Sequence, residues 1–182
     1  VRVPPEPLGL LPATGPDLDL PVRGCLPALL DALATAGTAV LVAPPGAGKT
    51  TLGPLALATG TGAASPNDSP GGRVVVAEPR RVAARAAALR MAALLGERLG
   101  GRVGLTVRGE RTVSSATRVE VVTTGVLVQR LHRDPELPGT DVVLLDECHE
   151  RHLDADLALA LLVDVRAGLR PDLRLVAASA TV

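Results

Sequence analysis

The chain reads as an α/β domain: a mostly parallel sheet with helices on both faces. Three observations predict it. Short apolar, β-branched runs are bounded by turn residues, helical stretches alternate with them, and polar clusters sit at the carboxyl end of one run after another. A length of 182 residues suits one domain with a real core. Hydrophobic residues make up 47% and aromatic residues 0%, so that core must be Val, Leu and Ala.

Residues 1–21 carry Pro4, Pro5, Pro7, Pro12, Pro16 and Pro21 with little periodicity, and read as an extended leader to a domain over 22–182. The chain begins at Val1 rather than Met, as a trimmed chain or a fragment would. No basic stretch followed by an apolar one marks a secretory signal. LPALLDALATA has helical spacing and stops at Gly37. TAVLVA (38–43) predicts a buried strand, which runs into PPGAGKTT and then a helix. GTGAASPNDSPGG (60–72) is a flexible surface loop by composition. RVVVAEP (73–79) is a second buried strand, followed by a long Ala-rich helix with Arg80, Arg81, Arg85 and Arg90 towards its start.

TRVEVVT (117–123) is a further strand and GVLVQRLHR a short helix. DVVLLDE (141–147) is a strand that stays apolar until its carboxyl end, LDADLALALLVDVRAG a helix, and LRLVAASAT the last strand. Ligands of such sheets bind beyond the carboxyl ends of the strands. Polar segments follow Ala43, Ala77, Val122, Leu145 and Ala178, so five strands bring polar groups to one edge.

Charge and composition exclude several classes. Net charge is zero, no apolar run approaches the ~18 residues that span a bilayer, and no membrane partner is expected. Cys25 and Cys148 are too few for a disulfide framework, which fits reduced thiols in the cytoplasm. Without Phe, Tyr or Trp the chain cannot stack on bases, so any nucleic-acid contact must be to the backbone.

The lysine count is more pointed. Of 19 basic residues one alone is lysine, Lys49, and it stands in APPGAGKT (43–50). This fits the phosphate-loop pattern G-x-x-x-x-G-K-[ST] with Ala43 in the first position. Glycines let backbone N–H groups of Pro44–Pro45–Gly46–Ala47–Gly48–Lys49–Thr50–Thr51 wrap a phosphate, prolines excepted. Lys49 would neutralise the β- and γ-phosphates and Thr50 would ligate Mg²⁺. At the end of a later strand, Asp146 suits the metal and Glu147 the activation of water. A zinc site at Cys148, His149 and His152 competes for the same segment, but it lacks a paired fourth ligand, since Cys25 and His132 lie far off in sequence. A Cys148–His149 nucleophile pair fares no better, because neighbours on an extended segment point to opposite faces.

With these blocks in order, the chain resembles superfamily 2 helicases of the DEAH/DExH class, most closely the first RecA-like domain of HrpB-type ATP-dependent helicases. The likeness runs from about residue 20 to the end. It rests on APPGAGKTT, VAEPRRVAARAAA, TRVEVVTTGVLVQRL, LLDECHERHLDADLALALL and ASAT. The resemblance implies a RecA-like P-loop fold, ATP and Mg²⁺ as cofactors, and single-stranded RNA or DNA held by its sugar–phosphate backbone. Pro79, Arg80, Arg81, Thr124 and Gly125 would make those contacts. His149 would join Lys49, Asp146 and Glu147 in catalysis, linking the γ-phosphate site to the nucleic-acid side. Ser179 and Thr181 would hydrogen-bond the DECH segment and couple hydrolysis to movement. Cys148 replaces the Ala of DEAH and would pack as a small apolar residue. Such motors also need a second RecA-like domain that supplies arginine fingers; it is absent here, so weak hydrolysis by this domain alone is implied. A P-loop ATPase of another class and a non-catalytic binding module are the competing readings. The EPRR, TTG and SAT blocks speak against the first, and intact Lys49, Asp146 and Glu147 against the second.

Overall fold

The computed structural model describes residues 10–12, 18–58 and 72–181. The loop read at 60–72 lies outside the described residues, Gly72 excepted. Of the leader, the described parts lie against the domain: the Leu10 N–H donates to the Leu55 carbonyl at 2.8 Å, and Leu11 and Leu18 are buried.

After a 3₁₀ turn at Pro21–Cys25 the elements are α1 (Leu26–Ala36), β1 (Thr38–Val42), α2 (Leu52–Leu57), β2 (Val74–Glu78) and α3 (Arg81–Leu94). There follow β3 (Val103–Val107), β4 (Glu110–Thr112), β5 (Val119–Thr123), α4 (Thr124–Arg133), β6 (Val142–Leu145), α5 (Leu153–Gly168) and β7 (Arg174–Ser179). The sheet order is β1-β7-β6-β2-β5-β3-β4, with every pair parallel except β3–β4. This is the α/β, RecA-like architecture the sequence predicts.

The pleat distributes the core. Side chains alternate across a strand, so Val74, Val76, Val142, Leu144, Val176 and Ala178 meet α1, α2 and α3 on one face. Val75, Ala77, Val143, Leu145 and Leu175 meet α4 and α5 on the other. Among the described residues aliphatic side chains fill both layers, joined by Met91 in the first and Cys148 at the second. Alanines at Ala84, Ala88 and Ala92 let α3 sit close to the sheet.

One departure is β1. The sequence reads it as buried, yet Val40 is 72% and Val42 41% exposed. Its place at the sheet edge explains this: α1 covers the face of Leu41, and no described helix covers the opposite face. The segment after the phosphate loop does form a helix, but α2 has only six residues. The β3–β4 hairpin has no counterpart in the sequence reading, although VGLTV followed by Arg108-Gly109 is a strand and a two-residue turn.

Glu120 interrupts the apolar run of β5. Its carboxylate accepts both terminal nitrogens of Arg130, at 3.0 and 2.6 Å, and the Thr106 hydroxyl at 2.6 Å. Burial alone would raise its pKa; hydrogen bonds from Arg130 and Thr106 outweigh burial and hold it below the ordinary value. The pair fastens α4 to β5, and α4 starts at the polar edge.

Candidate nucleotide site and nucleic-acid cleft

The loop leaves β1 at Ala43, whose N–H donates to the Ser179 carbonyl at 3.1 Å, tying the loop to β7. Gly46 and Gly48 take φ of +80° and +93°, where a side chain is strained. A Cβ at Gly48 would also stand 2.8 Å from Leu20 Cδ1. The Val22 N–H donates to the Ala47 carbonyl at 3.1 Å, so the turn before α1 braces the loop from outside.

This path delivers Lys49 and Thr50 to the strand-end acids. Lys49 is 4% exposed and its Nζ lies 3.0 Å from Glu147 Oε1. The Thr50 hydroxyl donates to Asp146 Oδ2, and the Glu147 N–H donates to Asp146 Oδ1 at 2.8 Å. Burial raises the Asp146 pKa against the lowering effect of its hydrogen bonds. A buried carboxylate beside a hydroxyl, with Lys49 committed to Glu147, is a hard-oxygen pair of the kind Mg²⁺ accepts alongside water and phosphate oxygens. The residues therefore fit Mg²⁺.

Glu147 adopts φ 53° and opens a three-residue 3₁₀ turn, Cys148–Glu150, that Arg151 closes at φ 54°. The segment is thus a turn and not the extended stretch that the sequence reading assumed for Cys148 and His149. The Cys148 thiol donates to the Leu145 carbonyl at 3.2 Å and packs against the α4–α5 layer; burial pushes its pKa up. His149 Nδ1 accepts from the Ala180 N–H at 3.3 Å and lies 3.3 Å from Glu147 Oε2. One ring nitrogen can serve only one of these at a time: unprotonated it accepts from Ala180, protonated it donates to Glu147. His152 pairs with Glu150 at 2.7 Å. Cys148, His149 and His152 so engage separate partners, and among the described residues no group of three or more His, Cys, Asp or Glu side chains is disposed to hold a metal.

The link from β7 to this turn differs in detail from expectation. The hydrogen bonds of the Ser179 hydroxyl run to Thr181. The Ser179 hydroxyl donates to the Thr181 carbonyl and its oxygen accepts from the Thr181 N–H at 3.2 Å. Ala180, between them, reaches His149 through its backbone, a role no side-chain motif could announce.

A cleft of about 290 Å³ opens next to this site, lined by Pro79, Thr124, Gly125, His152, Leu153 and Asp154. It brings together the ends of β2 and β5. Arg80 and Arg81, at the start of α3, are 67% and 62% exposed. Arg80 pairs with Glu150, while Arg81 and Arg85 both approach Glu110 of the hairpin.

Sequence reasoning missed Glu78. It ends β2 in register beside the start of the Asp146 segment and is 4% exposed. Burial, then the charges of Asp146 and Glu147, push its pKa up to about 8. An acid at the carboxyl end of an apolar strand is the same signal that marks Asp146. Between the ordinary glutamate value and about 8 the folded state holds a proton that the unfolded chain has lost, so stability falls as pH rises through that window. Glu78→Gln cannot ionise. It should match the parent near the low end of the window and exceed it by on the order of 2–4 kcal/mol at the high end. Denaturant melts of the ligand-free protein across that range would show it, and a constant difference would refute it.

A glycine-bent loop bringing one buried lysine to paired strand-end acids, on a RecA-like sheet, makes this a P-loop nucleoside-triphosphatase domain. Comparison with known proteins narrows the class. A family model described as DEAD/DEAH box helicase matches residues 25–182, and the chain belongs to that family. It is 51% identical to the ATP-dependent RNA helicase HrpB of Escherichia coli (strain K12) over 163 residues, 90% of this chain and 19% of that protein. It is 40% identical over 111 residues to the probable ATP-dependent RNA helicase DHR2 of Saccharomyces cerevisiae, 61% of this chain and 15% of that protein. The crystal structure of Escherichia coli DEAH/RHA helicase HrpB superposes with a TM-score of 0.80 at 51% identity, covering 90% of this chain and 20% of the other. The chain thus spans under a fifth of the length of the curated relatives it matches.

Proposed function

We propose that the chain is the ATP-binding motor domain of an ATP-dependent helicase, hydrolysing ATP to ADP and phosphate in step with movement on single-stranded nucleic acid. The observation that carries this is the network Lys49–Glu147 and Thr50–Asp146 at the mouth of the loop. The polyphosphate draws Lys49 from Glu147, because a multiply charged phosphate outcompetes one carboxylate. Glu147 is then free to take a proton from water. The water oxygen bonds to the γ-phosphorus as the bond to the β–γ bridging oxygen breaks, and ADP carries away that electron pair. Mg²⁺, held by Thr50 and Asp146, neutralises charge on the phosphates when bound. A second RecA-like domain supplies arginines to the same nucleotide, a contribution on the order of 10³–10⁵ in rate in related hydrolases.

Pro79, Arg80, Arg81, Thr124 and Gly125 receive the backbone of the strand along the cleft beside them, with no base read by stacking. The relatives are named RNA helicases, which makes RNA the nucleic acid to test first. The setting is the cytoplasm, where the free thiols Cys25 and Cys148 stay reduced.

Two titrations test the reading. A fluorescent ATP analogue should bind only with Mg²⁺ present. Labelled single-stranded RNA should bind with an affinity that falls with salt, and the joint Arg80→Ala, Arg81→Ala variant should flatten the log–log slope by about 1 to 1.5. A P-loop protein of another kind would bind the nucleotide and ignore the strand.

A further inference from the structure

Glu150 is the last residue of the turn between Glu147 and Arg151, and its two carboxylate oxygens have different partners. Oε1 meets Arg80 Nη2 at 2.5 Å, and Oε2 meets His152 Nε2 at 2.7 Å. The turn itself is held by its surroundings. Left-handed residues bracket it at Glu147 and Arg151, a strained conformation that persists because neighbours impose it. The neighbours that do so include Lys49 on Glu147, the Ala180 N–H on His149, Arg80 and His152 on Glu150, and Asp156 on Arg151. Of these restraints, Arg80 is the arginine that a nucleic-acid backbone would claim, while His152 lines the cleft beside it.

We propose that Glu150 is a positioning residue that occupies Arg80 while the cleft is empty, so that a backbone phosphate and the Glu147-bearing turn compete for one guanidinium. The proposal rests on the nucleic-acid role given to Arg80 above. The exchange costs little, since Arg80 is 67% exposed and an ion pair in water is weak. A phosphate can also offer Arg80 two oxygens at once, whereas Glu150 gives it Oε1 and keeps Oε2 for His152. Once the phosphate is bound, Oε1 loses its partner, Oε2 keeps His152, and the turn is loosened without being released. Linkage makes the effect mutual: whatever fixes the turn changes the affinity for the strand. A nucleotide that takes Lys49 from Glu147 thereby bears on Arg80 through four residues of backbone.

The experiment is a double-mutant cycle read by anisotropy of a labelled single-stranded oligouridylate, with thermal melts confirming that each variant is folded. Glu150→Gln should tighten binding about two- to fivefold, Glu150→Ala should do the same, and Arg80→Ala should weaken it. In the Arg80→Ala background the gain from Glu150→Gln should vanish. A gain that persists there is general charge repulsion and overturns the proposal. No gain from either Glu150 variant, with Arg80→Ala still weakened, overturns it while leaving the nucleic-acid role of Arg80 intact. Wild-type binding by Arg80→Ala removes that role and the proposal with it.

Discussion

Replacing Glu147 with Gln should leave Mg·ATP binding in place and slow the chemical step by about 10²–10⁴-fold. The amide keeps the size of the side chain and an oxygen that can still accept from Lys49, so the φ 53° turn and the loop survive. What is lost is the ability to take a proton from water. Single-turnover hydrolysis, with protein in excess over labelled ATP, suits a domain expected to turn over slowly. If Glu147→Gln hydrolyses ATP at the parental rate, the base lies elsewhere, and Glu78 is the next carboxylate to examine. Its substitution by Gln would then take the place of Glu147→Gln in the same assay.

Lys49→Ala should give the opposite signature, with nucleotide affinity reduced by about 30- to 10³-fold. Lys49 faces a cluster of acids: Glu147 directly, with Asp146 and Glu147 both close enough to Glu78 to help raise its pKa. Without the ammonium, Glu147 loses its lysine ion pair and the phosphates meet poorly compensated carboxylates. Lys49→Arg separates charge from shape, because a planar guanidinium does not replace a point charge in a buried slot. Partial recovery by arginine would assign the loss to charge; none would assign it to geometry. Undiminished affinity in Lys49→Ala would contradict the role given to the loop.

Much of this architecture is legible in the chain because the chemistry is local. A strand of apolar residues that ends in DE, or in GKT after a turn, announces both its burial and its polar tip. That logic locates Lys49, Thr50, Asp146 and Glu147, which the fold brings into mutual contact. It fails where the answer depends on order in the sheet. Nothing in TAVLV says that it lies at an edge with Val40 outward; only the placement beyond β7 does. It fails again for backbone groups, since the Ala180 N–H on His149 leaves no trace in side-chain identity. The basic start of α3 was visible, but its carboxylate partners were not. Glu150 and Glu110 reach Arg80, Arg81 and Arg85 from a turn and from a hairpin far along the chain.

The sheet order also bears on when the nucleotide site can exist. Among the described residues β1, which carries the phosphate loop, has one strand neighbour, β7, the last described element. Contacts so distant in sequence form late and slowly, because the loop-closure entropy must be met first. Residues 38–42 leave the ribosome long before residues 174–179 can receive them, and the Ala43–Ser179 hydrogen bond must wait for both. β2, β5 and β6 can pair among themselves without waiting for β7. The seat of the phosphate loop thus depends on a strand made more than a hundred residues after it.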